Sequence, residues 1–493
     1  MIKTNTAQKP KLPDWINQPR QRPLAIAHRG ASAYAPDNTL EAFSLAADLG
    51  ADMWEVDIWL SRDGVPIACH DSDLVKVAGQ PERINELDAE DLTALITFSG
   101  QPIALFANVV DLAIARKTAL YLDVKNIEAT TATLECLRDK AFERAIFGTT
   151  DPEFCRKLKA SGCPYPVSFL VGLGKNPFEL ADHSGADIIH PCWERAGERP
   201  DLLLTDSFFT EAARRGMPVV TWHEERQTVA RTLCQMPVLG ICSDTPELLK
   251  PYRDCYPNAP LVVCHRGAST IAPENTLAAA NAAFAAGFDF VELDVRKTAD
   301  GTLAVIHDNT LDRTTDASGE VSRLTLKQLS QLDAGRWFSP HYSGEQIPVL
   351  AEMIACAKCW SGQLYIEIKD ADSAAVLAEV MYHGFLRHCF FWSFDPEHLR
   401  TIRKINPDAN LMARREDYSS LEACLQHLDP GIVEFNMTNV SEAEFAAVRA
   451  THAKVMIAFM GDDQKTLGKV HSLQPDIVNI NDTLGWRKII SNT

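Results

Sequence analysis

Short apolar runs of strand character alternate with helical patterns along the whole chain. After Leu261, LVVCHRG is followed by the helix-like NTLAAANAAFAAG and then by FVELDVR. A Gly-turned pair ends in LAVIHD. QLYIEIK, CFFWSF, NLMARR, IVEFN, KVMIAFM and DIVNIND follow, separated by segments such as PEHLRTIRKI and SEAEFAAVRATH. With the LAVIHD excursion set aside, these are eight strands. The first half offers LAIAHRG, MWEVDIW, ALYLDVK, RAIFGTT, YPVSFLV, ADIIHP, MPVVTWH and LGICSD, again eight. Eight short strands alternating with helices in about 230 residues predict an α/β architecture of two tandem (β/α)8 TIM barrels, one per half. The expected boundaries are an N-terminal extension at 1–22, a first barrel at 23–250, a linker at 251–260 and a second barrel at 261–493. The linker assignment follows from Pro251, Pro257 and Pro260, which disfavour both helix and central strand.

The two halves also share a polar text. HRGASAYAPDNT, EVD and CHD begin at His28, and HRGASTIAPENT, ELD and IHD begin at His265, displaced by 237 positions. From His28 to Asp71 against His265 to Asp308, no gap is needed and 20 of 44 positions are identical. The retained residues are mostly polar and reactive, while the apolar ones drift. A repeat kept for packing alone would keep apolar volume instead, so retained chemistry is expected.

The formal charge of −18, from 48 basic and 66 acidic residues, argues against broad nucleic-acid binding. An anionic substrate would need locally placed positive charge. The first residues lack an apolar signal core and no apolar stretch reaches the ~20 residues of a membrane span, so a soluble, cytoplasmic protein is expected. Thirteen irregularly spaced cysteines suit reduced, buried thiols such as Cys69, Cys242 and Cys264 rather than a disulfide framework. Cys356 and Cys359 form a lone CxxC inside the helix-like AEMIACAKCW, without a partner pair that would signal a metal site.

The barrel reading aims the polar residues. His265 ends the first strand of the second half, Glu292 and Asp294 lie two apart on the next, and Glu367 and Lys369 two apart on the third. Residues at i and i+2 share a face. Near the C-terminal strand ends they converge on the mouth where barrel enzymes keep their sites. His307 follows the inserted hairpin and can fold over that mouth. A solvated face suits Glu292 and Asp294 poorly, since Phe290, Val291, Leu293 and Val295 flank them in a strand buried on both sides. A divalent cation would relieve their repulsion, and the all-oxygen set Glu292, Asp294 and Glu367 suits Mg2+ or Ca2+. With that cation, Arg266 can neutralise a phosphodiester, Lys369 can add to the positive field, and His265 and His307 can act as base and acid.

The run HRGASTIAPENTLAAANAAFAAGFDFVELDVRKTADGTLAVIHDNTLDRTT, followed by YIEIK, resembles the glycerophosphodiester phosphodiesterase family, whose barrel enzymes are related to phosphatidylinositol-specific phospholipases C. HRG, PENT, ExD, DG, HD and ExK in that order make the resemblance specific, and it is close from about Leu261 to Phe394. It implies hydrolysis of small-molecule glycerophosphodiesters to an alcohol and glycerol 3-phosphate. It also implies His265 and His307 as the acid/base pair, Arg266 and Lys369 as substrate contacts, and Glu292, Asp294 and Glu367 as metal ligands.

The first half carries His28, Arg29, Glu55, Asp57 and His70 in the same register, with Asp123 and Lys125 opposite Glu367 and Lys369. Asp123 is one methylene shorter, a retreat of ~1.5 Å, so weaker metal binding is expected in domain 1. Domain 1 also reads APDNT and lacks the RTT run. Trp222 supplies the late aromatic that the family often carries, and Phe459 stands 237 positions on; both are candidate substrate contacts, although such aromatics are more often packing. Domain 2 is therefore expected to be the main site. Domain 1 is either a second active site or a binding or scaffold barrel, and a lysophospholipid is an alternative substrate. A sensor of phosphorylated ligands is the competing non-enzyme reading.

Overall fold

The computed structural model describes residues 12–437 and 440–491. The chain divides between Leu249 and Lys250 into two units, domain 1 and domain 2. In domain 1 the barrel strands are β1 (Leu24–Ala27), β2 (Met53–Leu60), β3 (Ala119–Val124), β4 (Ala145–Thr149), β5 (Val167–Gly172), β6 (Ile188–Cys192), β7 (Val220–His223) and β8 (Gly240–Ser243). They pair in parallel in the order β6-β5-β4-β3-β2-β1-β8-β7, and a bridge between Ile189 and Val219 joins the two ends. In domain 2 they are β9 (Leu261–Cys264), β10 (Phe290–Lys297), β11 (Gln363–Ile368), β12 (Cys389–Trp392), β13 (Met412–Arg414), β14 (Ile432–Asn436), β15 (Lys454–Phe459) and β16 (Ile477–Ile480). Here the order is β12-β11-β10-β9-β16-β15-β14-β13, and a bridge between Phe391 and Leu411 joins the ends. All sixteen expected strands form, and LAVIHD becomes a short antiparallel partner of β10 at Leu303–Val305.

Register decides which side chains meet. Asp57 stands opposite Asp123 and Asp294 opposite Glu367. The loop after each first strand then turns into a helix, α1 (Leu40–Asp48) or α2 (Leu277–Ala285), capped by Thr39 or Thr276. Gly30 and Gly267 have φ of +88° and +85°, and a Cβ there would come within 2.6 Å and 2.7 Å of Ala42 and Ala279. Part of the shared text is thus kept for backbone geometry rather than chemistry.

Ile16 of the N-terminal extension is buried in a cluster with Leu24, Met53, Ala119, Ile188 and Val220, with Leu12 and Trp15 against it. These are the first residues of their strands, so the extension covers the end of the barrel opposite the polar groups. Residues 1–11 lie outside the described residues. The segment read as a linker folds as part of domain 2. Tyr252–Cys255 is a helical turn, Tyr252 is buried, and its hydroxyl accepts from Trp486 Nε1 at 3.0 Å. Pro251 caps that turn, a position where its missing N–H costs nothing.

All thirteen cysteines are free thiols, with Cys69, Cys242 and Cys264 buried, and Cys356 and Cys359 lie on the helix Leu350–Trp360. Among the described residues, no helix is long and apolar enough to cross a membrane.

Candidate active site

Each barrel gathers three carboxylates at one end. Glu292, Asp294 and Glu367 bring one oxygen each within 4.8 Å of the others, and so do Glu55, Asp57 and Asp123. The shorter Asp123 therefore still joins its trio. Burial, then Asp294 and Glu367, drives the Glu292 acid well above the usual carboxylate range, and burial with Asp294 lifts Glu367 to about 7. Burial also pushes on Asp294, but Lys369 and Arg266 hold it below the usual range. Domain 1 repeats the split, with Glu55 raised and Asp57 lowered. Lys369 Nζ lies 3.0 Å from Asp294 Oδ1 and also bonds Glu367, while Lys125 Nζ lies 2.6 Å from Asp57 and 2.5 Å from Asp123. Glu292 Oε1 is buried and accepts no hydrogen bond. An orphaned carboxylate oxygen inside an acidic trio is costly, and a hard divalent cation fits the all-oxygen set.

Two histidines flank each trio. His265 Nδ1 donates to Asn481 Oδ1 at 2.6 Å, and Asn481 Nδ2 donates to Met460 O at 2.8 Å, which keeps the amide oxygen toward the ring. The other nitrogen, Nε2, stands 3.8 Å from Glu292 Oε2 and carries the free lone pair of the neutral ring. Burial, then Arg266, lowers His265 to about 4. His307 Nδ1 donates to Asp308 at 2.6 Å, and Arg313 Nε donates to the same carboxylate at 2.7 Å, holding it well below the usual range. In domain 1, His28 donates to Asp244 at 2.6 Å and His70 to Asp71 at 2.8 Å. Asp244 and Asn481 are 237 positions apart, so the two copies back the same histidine with a carboxylate and an amide. Asn481→Asp is expected to raise the His265 pKa by about one unit or more, because a carboxylate stabilises the protonated ring more than the amide does. An NMR titration of the ring checks this, and an unmoved midpoint would count against the Nδ1 bond as the link between the pair.

Backbone strain positions the cations. Arg29 and Arg266 sit at φ of 58° and 57°, a left-handed conformation that turns their N–H groups onto Glu55 and Glu292 at 3.0 and 2.8 Å. Asn38 and Asn275, also left-handed, donate to Asp57 and Asp294 at 2.8 Å. Arg266 Nη1 reaches Glu274 Oε1 at 2.8 Å, and Arg313 grips the same Glu274 with two further bonds of 2.8 Å. Arg266, Glu274, Arg313, Asp308 and His307 thereby form one linked set. Lys76 takes the register of Arg313 in domain 1 and bonds Asp71 at 2.7 Å.

In domain 2 a cavity of about 250 Å³ brings together His265, Arg266, His307 and Lys369 with Trp392 and Arg414. The two late aromatics, candidate substrate contacts in the sequence, do not line the mouth. Trp222 is fully buried, its indole bonded to Glu224 at 3.0 Å, and the following His223 instead stacks on His28 at 4.8 Å. A register irregularity between Thr221 and His223 accounts for the shift. Phe459 is flanked by Ala458 and Met460, which line the cavity in its place, as strand alternation requires. The sequence reading did not single out Glu434, Arg414 or Asn481. Glu434, buried beside Asn479 on the cavity wall and pushed by burial to about 7, carries a usable signal: a lone Glu between Val433 and Phe435 in an apolar strand.

The sequence model of the glycerophosphoryl diester phosphodiesterase family matches this chain twice, at residues 28–248 and 265–456. A glycerophosphodiester phosphodiesterase of Caldanaerobacter subterraneus subsp. tengcongensis is 34% identical over 193 residues, 35% of this chain and 79% of that relative. One from Bacillus subtilis is 32% identical over 195 residues, 35% of this chain and 66% of the relative. Among solved structures, a glycerophosphodiester phosphodiesterase from Agrobacterium tumefaciens is 32% identical with a TM-score of 0.44, covering 46% of this chain and 99% of its own. A phosphodiesterase from Oleispira antarctica in complex with the product sn-glycerol-3-phosphate is 28% identical with a TM-score of 0.43, covering 48% and 98%.

Proposed function

Because the chain belongs to the glycerophosphoryl diester phosphodiesterase family, we propose that it hydrolyses glycerophosphodiesters to an alcohol and glycerol 3-phosphate, with domain 2 as the main site. The observation that carries this reading is the convergence of His265, Arg266, His307, Glu367 and Lys369 on one cavity. Glu292, Asp294 and Glu367 are the residues that would hold Mg2+ or Ca2+. When bound, such an ion supplies positive charge to the phosphate oxygens and lowers the barrier to attack on phosphorus.

The chain's own groups supply the proton transfers. His265 keeps Nε2 unprotonated because Asn481 accepts from Nδ1, which suits it to take a proton from the attacking oxygen. His307 has the carboxylate of Asp308 behind it, which holds the ring in place to deliver a proton to the departing alcohol. Two histidines with unlike partners divide the work of base and acid. Arg266 and Lys369 offset the phosphate charge within an otherwise acidic molecule.

Domain 1 has His28 and His70 beside Glu55, Asp57 and Asp123, and Arg29 and Lys125 as its cations. The complete set favours a second active site over a scaffold, because packing alone has no use for both histidines. Hydrolysis of glycerophosphocholine, followed by choline release, is expected to vanish on chelation and return with Mg2+ or Ca2+. Activity that survives chelation would remove the cation from this account. A protein that binds glycerophosphocholine and never cleaves it would replace the enzyme reading by that of a sensor.

A further inference from the structure

The wall of the domain 2 cavity carries polar groups that the acid, base and cation roles leave unused. Glu434 and Asn479, the third residues of β14 and β16, are buried side chains of the cavity lining. Asn479 is 3% exposed. Its Nδ2 donates to Glu434 Oε2 at 3.3 Å, which fixes the direction of the amide and leaves Oδ1 buried without a hydrogen-bond partner. Arg414, at the end of β13, stands in register with Glu434, holds Nε 4.0 Å from Glu434 Oε1 and also bonds Glu416. Two acceptors and a multiple donor converge here, and a buried acceptor without a donor is costly until a ligand supplies one.

Domain 1 builds the same positions differently. The third residues of β6 and β8 are His190 and Cys242, and the register partner of His190 is Leu170. The Tyr121 hydroxyl lies 2.9 Å from His190 Nδ1, so that ring is already engaged within the wall. Cys242 is a buried thiol, and Leu170 brings no polar side-chain atom.

The wall suits a neutral, hydroxylated group rather than a cationic one. The aromatic faces that would receive an ammonium are already covered: Arg414 lies 5.2 Å from the Trp392 ring and 5.3 Å from that of Phe394, and Lys369 lies 5.5 Å from Phe394. A hydroxyl both donates and accepts. One can donate to Asn479 Oδ1, and another can donate to Glu434 while accepting from Arg414. Adjacent hydroxyls on one carbon chain match this set. β16 borders β9, whose end leads to His265, whereas His307 follows the hairpin on the other side, after β10. The wall therefore stands on the side of the base, away from the departing alcohol.

We propose that Glu434, Asn479 and Arg414 bind the vicinal hydroxyls of a phosphorylated polyol and make domain 2 selective for it, and that domain 1 does not make this discrimination. Recognition of the hydroxyls follows from the wall itself. That the polyol is the glycerol retained on phosphorus rests on the phosphodiesterase reading.

The test separates binding from turnover. Glycerol 3-phosphate and propyl phosphate, which differ only in the two hydroxyls, are titrated calorimetrically into the full chain with Mg2+. A hydrogen bond is worth roughly 2- to 12-fold in affinity between uncharged groups and more to a charged one, so one site is expected to prefer glycerol 3-phosphate by about 10-fold or more. The other is expected to bind the two alike. Glu434→Leu and Asn479→Leu should each remove most of the preference, and Glu434→Gln, which still accepts from Asn479 and from a hydroxyl, should retain most of it. Propyl phosphate reports an intact phosphate site in every variant. Arg414→Met, at a partly exposed position, carries the test where a buried substitution also weakens propyl phosphate, and it should lower the preference several-fold. A preference that survives Arg414→Met and both leucine variants, or that the two sites share, would overturn the proposal. Glycerophosphocholine turnover is measured in parallel. A preference without turnover would uphold the polyol site and sink the phosphodiesterase reading, and turnover without the preference would do the reverse.

Discussion

Replacing His265 and His307 together by alanine is expected to cut glycerophosphocholine turnover by the full chain to the residue that domain 1 supports. Positioned acid and base groups contribute about 10²–10⁴-fold each. The two histidines act on one transition state, so the double variant should lose little more than the worse single variant. The counterpart, alanines at His28 and His70, is expected to leave most of this turnover intact. Domain 1 carries the shorter Asp123 where domain 2 has Glu367. The four-alanine variant fixes the background. The decisive comparison is kcat for the two double variants under saturating metal. Undiminished activity without His265 and His307 would transfer the main role to domain 1.

Glu292→Gln is expected to have the second large effect, and its readout does not require turnover. Glu292 Oε1 is buried without a hydrogen-bond partner, and burial, then the neighbouring Asp294 and Glu367, push its acid upward. Without metal, the neutral amide relieves repulsion, so the fold should be retained. With metal, a ligand is lost. A cation present at about 100-fold over its Kd stabilises the native state by about 2.7 kcal/mol. For a domain of this size that is a rise in Tm of about 5–10 °C. Differential scanning calorimetry of the full chain should show a metal-dependent shift that Glu292→Gln removes from domain 2. Glu55→Gln should remove a smaller one from domain 1, where Asp123 replaces the longer Glu367. Equal shifts in wild type and Glu292→Gln would exclude this trio as the cation site.

The legible part of the site was what strand periodicity could aim. Glu292 and Asp294 stood out because two carboxylates interrupt an apolar strand at a spacing of two, and Glu367 and Lys369 followed on the next strand. Glu434 carries the same kind of signal as a single residue. Asn481 could have been found by carrying the 237-residue register to the last strand, where Asp244 becomes an amide. Trp222 and Phe459 turn away from the mouth for a geometric reason. A local shift in pairing and the alternation of a strand decide which neighbour faces the mouth, so that His223 stacks on His28 and Met460 lines the cavity.

By itself, the sequence determined the architecture and the chemistry of the mouth. Periodicity sets which face of each strand points inward, and an ionised group on a buried face must meet a partner or a cation. Only the tertiary structure decided how the space around the two sites differs. Whether Arg313 reaches across to Glu274, or Lys76 turns outward and leaves a cavity, depends on the path of loops whose ends lie far apart in sequence. Such distances are set by packing, and no local pattern encodes them.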